Sequence, residues 1–464
     1  MRLSVPILCA AVLLGAGVTP SRATRYDELA VAAQAGDATK LRSLLDSGAN
    51  PNDYDGTYSA LMYAAGNGHV EAVRILLARG ANVDHRDHNG DRALLWAAQH
   101  GHADVVRLLL AGRAAVESNA DPHLITPLMQ ACRYGHLAAA RVLIAAGADS
   151  RRRDHVNDTA LHAAAISGNA ELVALLLRAG ADPNAKGKYL DDTPLHHAAD
   201  FDRVEAARLL VSAGAHLDVR DHKGRTPLWS AASLDHPAIV EILLAGGADP
   251  DARDTTGTTP FVAAAGRSGT AARLLVERTR DIDRGFAAAV WGGHADLALR
   301  LAGRGADVNA ADDLGRPALA GAALHQGAEL LDWFLGKGVD LPRHGVAALL
   351  YAAETGRVDL TRKLLDVGVP VDARDAAGAT ALHIAAGAGR VEMVQLLLER
   401  GADRGVRDAQ GRGVEDYMSA RTGIIDLSIK QRQASRALHP VKHLADRLEN
   451  LQQNHATIKA LLAR

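Results

Sequence analysis

Histidine is the group in this sequence with the most chemical potential. The chain holds 21 histidines in 464 residues, against only two cysteines, Cys9 and Cys132. Two sets recur. His88, His155 and His222 end repeated Arg-Asp-His tripeptides, and His162, His196 and His383 each stand three residues after a threonine in Thr-Ala-Leu-His or Thr-Pro-Leu-His phrases. Two cysteines can form neither a disulfide framework nor a four-thiolate zinc site. The chain has no G-x-S-x-G elbow, H-E-x-x-H pair, phosphate-cradling G-x-x-x-x-G-K loop or glycine-rich dinucleotide fingerprint. Arg151, Arg152 and Arg153 form a cationic triplet, but a run that short in a chain of net charge −2 is no nucleic-acid signature. Whether any histidines can act together depends on the elements that hold them.

Those elements repeat. SALMYAA (59–65), TPLMQAC (126–132), TALHAAA (159–165), TPLHHAA (193–199), TPLWSAA (226–232), TPFVAAA (259–265) and TALHIAA (380–386) are variants of one phrase, and most neighbouring copies are 33 or 34 residues apart. A second phrase follows each, such as AELVALLLRAGADPN (170–184) or VEMVQLLLERGADRG (391–405). Weaker copies begin near Asp27, Arg92, Arg284, Pro317 and Ala347, making twelve. The pattern resembles the ankyrin repeat over about residues 25–423. The resemblance implies an all-α repeat solenoid of stacked helix-turn-helix units with projecting β-turn fingers.

The residues support the same reading position by position. Thr193 offers a hydroxyl to an orphan amide of the first helical turn, and Pro194 suits the first helical position. Five residues after each cap position stands alanine, from Ala32 to Ala385. A methyl-sized side chain lets helices approach closely enough to build a core from Ala, Leu and Val. Such a core is required here, because aromatic residues are only 3% of the chain. Gly180 and its equivalents permit the left-handed turn that ends the second helix. Arg113 and Thr279 take that glycine position, so their turns should be strained or rebuilt. Fingers are cut short at DIDRGF (281–286) and LPRHG (341–345), giving irregular stretches near 277–285 and 340–346. Twelve layers at ~10 Å each predict a rod roughly 120 Å long, kinked there.

The repeat also decides the histidine question as the sequence poses it. His88, His155 and His222 stand two layers apart, about 20 Å, whereas zinc ligands stand ~2 Å from their ion. His85 and His88 share one finger and read as a solvated turn. His162, His196 and His383 occupy the family's TPLH position, where the resemblance implies a hydrogen-bonding role between repeats. Cys132 takes a close-packed alanine slot and reads as a small hydrophobe. No catalytic, metal or cofactor site is therefore predicted.

What remains is surface. The resemblance implies a protein partner in the groove between the fingers and the exposed ends of the first helices. The matching residues are Arg133, Tyr134, Ile166, Asp200, Phe201 and Leu234, with Tyr189, Lys223 and Arg225 on adjoining fingers. Trp291 and Leu324 occupy similar slots further on. Exposed rings in a chain so poor in aromatics are what an interface hot spot uses.

The chain ends carry different signals. Residues 1–23 have a cationic start, an apolar stretch from Val5 to Val18, and small residues Ser21 and Ala23 before a cut after Ala23, the layout of a secretory signal peptide. The stretch is too short to span a membrane comfortably. Arg outnumbers Lys by 43 to 9, as in GC-rich bacterial genomes, so the expected destination is the periplasm, with the extracellular medium second. Residues 424–464 form a basic tail of net +4, against −8 for residues 24–423. Val441, Leu444, Leu448, Leu451, His455, Ile458 and Leu462 recur there at three- and four-residue steps, predicting a helix after Pro440 that either caps the last repeat or pairs with a second copy. Taken together, the sequence predicts a non-enzymatic, exported scaffold, monomeric or dimerised through its tail. It would bind a protein partner such as a periplasmic enzyme, or a host protein if it leaves the cell.

Overall fold

The computed structural model describes residues 22–54, 58–117, 123–267, 269–325, 328–434 and 442–463. The expected signal peptide, apart from its last two residues, and Val441 lie outside this set. Twenty-six helices are described, and the first twenty-four fall into twelve consecutive pairs of a first helix followed by a second. The only β-structure among the described residues is two isolated bridges, Tyr54–Ser59 and Ala311–Pro317. The chain divides into two compact units, residues 1–215 and 216–464.

In the first unit the caps form as the residue types dictate. The Thr126 hydroxyl accepts from the Met129 amide at 3.2 Å, with Pro127 at the first helical position. Where histidine follows three residues later, it caps in return. His162 Nδ1 accepts from the Thr159 amide at 3.1 Å and lies 3.0 Å from its hydroxyl, and His196 does the same for Thr193. The alanines expected at the helix contacts, including Ala64, Ala97, Ala131, Ala164 and Ala198, have no exposed surface. Cys132 is likewise fully buried, and burial pushes its thiol up to about 12.

Neighbouring repeats of this unit are tied by a second set of histidines. His69 Nε2 donates to the Gln34 carbonyl at 2.9 Å, His102 Nε2 to Gly66 at 3.0 Å, and His136 Nε2 to Gln99 at 3.0 Å. Arg203 Nε serves Ile166 in the same way at 3.0 Å. Each donor reaches back from the start of a second helix to a carbonyl at the end of the preceding repeat's first helix, one of the orphan acceptors a helix leaves. Gly36, Gly68 and Gly101 turn left-handed beneath these rings, and a Cβ at any of them would stand 2.5–2.6 Å from a ring nitrogen.

The fingers are closed by aspartate. Asp87, Asp154, Asp221, Asp254, Asp312, Asp375 and Asp408 each accept with one carboxylate oxygen from the amides two and four residues ahead. The backbone bond that closes the finger runs from the aspartate amide to the residue before the cap, as from Asp154 to Asp158.

The two departures in the helix-ending turn resolve differently. Arg113 keeps the turn and adopts φ 67°, the left-handed conformation that suits glycine. In the second unit Thr279 abandons it. Its hydroxyl donates to Asp251 Oδ1 at 2.7 Å, and Asp251 also takes the Arg280 amide and guanidinium. The shortened fingers are absorbed into helices, because LPRHG and most of DIDRGF supply the first turns of Leu341–Thr355 and Ile282–Trp291.

Residues Val414–Ala434 and Lys442–Leu462 form two 21-residue helices. The last one packs against helices Ala381–Gly387 and Val391–Glu399. It buries Leu451, His455 and Ile458. His455 Nε2 donates to the Gly387 carbonyl at 3.3 Å and Asn454 Nδ2 to Gly389 at 3.1 Å. The helix thus supplies the tie that a further repeat would have made. No helix among the described residues is long and apolar enough to cross a membrane.

Candidate functional site

Tyr134, Phe201 and Leu234 each sit at the C-terminal cap of a first helix. Their backbone amides close the last turn, which turns the side chains away from the Ala-rich contact layer. Tyr134 is 54% exposed and Phe201 49% in the first unit, and Leu234 is 46% exposed in the second. Tyr189, at a finger tip, is 62% exposed with Lys188 Nζ 5.2 Å from its ring centre. Arg133 and Asp200 are exposed one residue earlier on their helices, and Ile166 is half-buried. Tyr134 lies along His136 and Phe201 along His197, with ring centres 6.4 and 6.5 Å apart. Each ring keeps about half its surface in water despite that support. On the second unit's finger Lys223 is exposed and Arg225 half-buried, its guanidinium 4.1 Å from the Trp229 ring centre.

Two candidates further along differ from the expectation of exposed slots. Trp291 is only 8% exposed. The helix that carries it gained three residues at its start from the lost finger, and Gly321 leaves room for the indole, since a Cβ there would stand 2.9 Å from it. Arg316 covers the ring at 4.0 Å and Tyr351 meets it edge-on at 5.1 Å. Leu324 is half-buried.

The finger-tip histidines do not converge. His88, His155 and His222 are exposed, and His155 instead meets His123 edge-on at 4.8 Å, with Nδ1 3.0 Å from the His123 carbonyl. The arginine triplet is spent on ties. Arg151 donates to the Gly180 carbonyl, Arg153 to Lys186, and Arg152 pairs with Glu117 at 3.8 Å.

A different cluster forms where no sequence motif marks it. Asp158, Asp192 and His197 each place one potential ligand atom within 4.8 Å of the other two. Asp158 and Asp192 precede the caps of successive repeats, and His197 follows Thr193 by one helical turn. His197 Nε2 is wholly buried, 3.3 Å from Asp192 Oδ2 but not aligned for a hydrogen bond. Burial lowers the affinity of His197 for a proton. Asp158 is held at about 6, first by burial and then by the charges of Asp154 and Asp192. His162 meets His197 edge-on at 5.6 Å and is pushed down to about 3, chiefly by burial. A cleft beside Asp158 is lined by Ile125, Met129, Arg133, Asp154 and Ile166 among others, so the cluster adjoins the predicted surface.

The finger that carries Asp192 is unlike the others. Its closing bond runs from Gly187 to Asp192 and spans one residue more than in the other fingers, and glycine replaces the usual aspartate. The 34-residue spacing from Thr159 to Thr193, against 33 to either side, was the available signal in the sequence.

A family model described as ankyrin repeats, in three copies, matches residues 29–120, 113–187, 186–254 and 319–408. The E3 ubiquitin-protein ligase XBAT33 of Arabidopsis thaliana is 31% identical over 155 residues, 32% of this chain and 24% of that protein. An L-asparaginase of Dirofilaria immitis is 35% identical over 157 residues, 33% of this chain and 26% of that protein. The chain thus spans about a quarter of the length of these relatives. The crystal structure of the human ASB11 ankyrin repeat domain aligns with a TM-score of 0.44 at 31% identity, covering 48% of this chain and 98% of that one.

Proposed function

The chain belongs to the ankyrin repeat family, a protein–protein interaction module, and on that premise we propose that it is an exported, non-enzymatic scaffold that grips a partner protein. The observation that carries the reading is the pair of half-exposed rings, Tyr134 and Phe201, at the same register of the first unit, with Tyr189 on a finger. Rigid helix ends hold these rings, so little ordering entropy is lost on association. Arg133, Ile166 and Asp200 flank them, and Lys223, Arg225 and Leu234 offer the matching positions of the second unit. Trp291, being covered, contributes to packing there. Export rests on the leader-like residues 1–23, and the partner is proposed to be a periplasmic protein.

Affinity capture from periplasmic extract, with mass spectrometry, tests the binding surface. Tyr134→Ala with Phe201→Ala should abolish capture of at least one partner while leaving the circular-dichroism melt unchanged. Undiminished capture by the double variant counts against this surface. Fractionation and N-terminal sequencing test the export separately, the expected mature end being Thr24.

A further inference from the structure

We propose that Asp158, Asp192 and His197 bind one divalent transition-metal ion, zinc by preference, with one carboxylate oxygen from each aspartate and Nε2 of the histidine as ligands. The inference stands whether or not the neighbouring rings bind a protein.

Three observations carry it. The first is geometry. Bonds of ~2.0–2.2 Å at tetrahedral angles put neighbouring ligand atoms about 3.4 Å apart. His197 Nε2 and Asp192 Oδ2 already stand 3.3 Å apart, and all three donor atoms fall within 4.8 Å. Closing the third corner requires only small side-chain rotations. Nε2 of His197 is a fully buried nitrogen with no hydrogen bond, as are those of His85, His162, His294, His344 and His383, and of these it alone stands beside two carboxylates within ligand distance.

The second is charge. At the register of Asp158 and Asp192 three fingers of the second unit carry arginine, at 225, 316 and 412. Arg316 and Arg412 turn back onto their own finger aspartates, Asp312 and Asp408, with Nε–Oδ2 distances of 2.7 Å. Two successive repeats of the first unit carry carboxylates there instead, with the Asp154 carboxylate beside them. Like charges crowd the part-buried Asp158, and a cation beside it would favour its carboxylate form. Arg133 and His155 act on Asp158 only at a distance.

The third is space. Gly187 replaces the finger aspartate and is not among the residues of positive φ, so no left-handed turn demands it. A Cβ there would stand 2.4 Å from Asp192 Oδ1 and 3.1 Å from Asp158 Oδ1. The missing side chain is what allows the two carboxylates to approach. Three protein ligands leave a fourth position for water or for a donor from another molecule. A neutral imidazole is the ligating form.

The test uses the full chain stripped with EDTA and titrated with zinc against a chromophoric chelator. One zinc per chain is expected. Asp158→Asn, Asp192→Asn and His197→Gln should each weaken it at least tenfold, and Gly187→Ala should weaken it too. His85→Ala with His88→Ala, in the exposed finger, should leave it unchanged. Cobalt serves as a second readout, since a tetrahedral site gives an intense visible band that His197→Gln should remove while the melt stays cooperative. Failure to retain stoichiometric zinc, a cobalt spectrum that is octahedral only, or binding by Asp158→Asn and His197→Gln as tight as the parent's overturns the assignment.

Discussion

Asp158→Asn should make the metal-free protein more stable at neutral pH, although it replaces a charged side chain by a neutral one. The Asp158 carboxyl titrates at about 6 in the folded chain because it is part-buried and faces Asp154 and Asp192. The unfolded value is near 3.8, so the native state binds more protons between those limits and stability falls as pH rises through them. The full shift corresponds to about 3 kcal/mol at 1.36 kcal/mol per pH unit. The group keeps some contact with water, and solvent screening reduces the expected penalty to about 1–2 kcal/mol. Asparagine keeps the shape and loses the charge, so it should recover that amount above pH 7. In a unit of about 200 residues the gain is roughly 2–8 °C. Urea melts of both proteins in EDTA, from pH 3.5 to 8, give the difference directly, and groups common to both cancel. The gain should shrink towards zero below pH 4. A variant equal to or less stable than the parent at pH 7.5 would refute the reasoning. A gain that persists at pH 3.5 would show that packing, not charge, is responsible.

Other outcomes follow from single contacts. Gly285→Ala pits a helix-propensity gain of about 1 kcal/mol against a Cβ 2.0 Å from the buried ring of Phe261. Overpacking costs about 1–3 kcal/mol, so a net loss is expected in denaturant melts. Arg113→Gly should stabilise by about 1 kcal/mol, because the turn already has φ 67°, and an unchanged midpoint would count against strain there. His162 stays neutral in the fold, at about 3 against an ordinary 6.5. Its contribution is therefore present above pH 6.5 and lost as pH falls from there towards 3; His162→Asn should flatten that acid limb of the stability curve. Cys132, with no exposed surface and its thiol pushed up to about 12, should resist thiol reagents in the native chain and react only on unfolding.

The caps, the close-packed alanines and the helix-ending glycines were legible because each is a local rule that the sequence repeats in most or all of its twelve copies. Arg113 and Thr279 were legible as departures, yet which would strain and which would rebuild depended on a partner elsewhere. Thr279 has Asp251 within 2.7 Å. The ties made by His69, His102 and His136 escaped notice because their acceptors are backbone carbonyls 35–37 residues earlier, which no side-chain motif records. Trp291 was misjudged as exposed because its slot was read by register alone, while the lost finger had changed the helix around it. The cluster at Asp158 escaped for a similar reason. Its ligands come from two repeats, and the one-residue insertion that brings them together looks in sequence like ordinary variation in spacing.

The residue before the cap links these observations. The finger fixes its backbone, which closes the turn, but leaves its side chain free to carry either charge. In residues 216–464 that residue is arginine at 225, 316 and 412, and each guanidinium lies over a ring, at 4.1 Å from Trp229, 4.0 Å from Trp291 and 4.9 Å from Tyr417. Cation–π contact of this kind draws an aromatic group out of water, and Arg316 and Arg412 also pair with the finger aspartates Asp312 and Asp408. In residues 22–215 the same residue is aspartate at 91, 158 and 192. No guanidinium covers Tyr134 or Phe201 among the described residues, and both rings remain half exposed. Aspartate at this position gathers negative charge in the first unit, beside aromatic surface that stays exposed. Negative charge beside exposed rings favours a cation there, whether it comes as a metal ion or as a basic side chain of a bound protein.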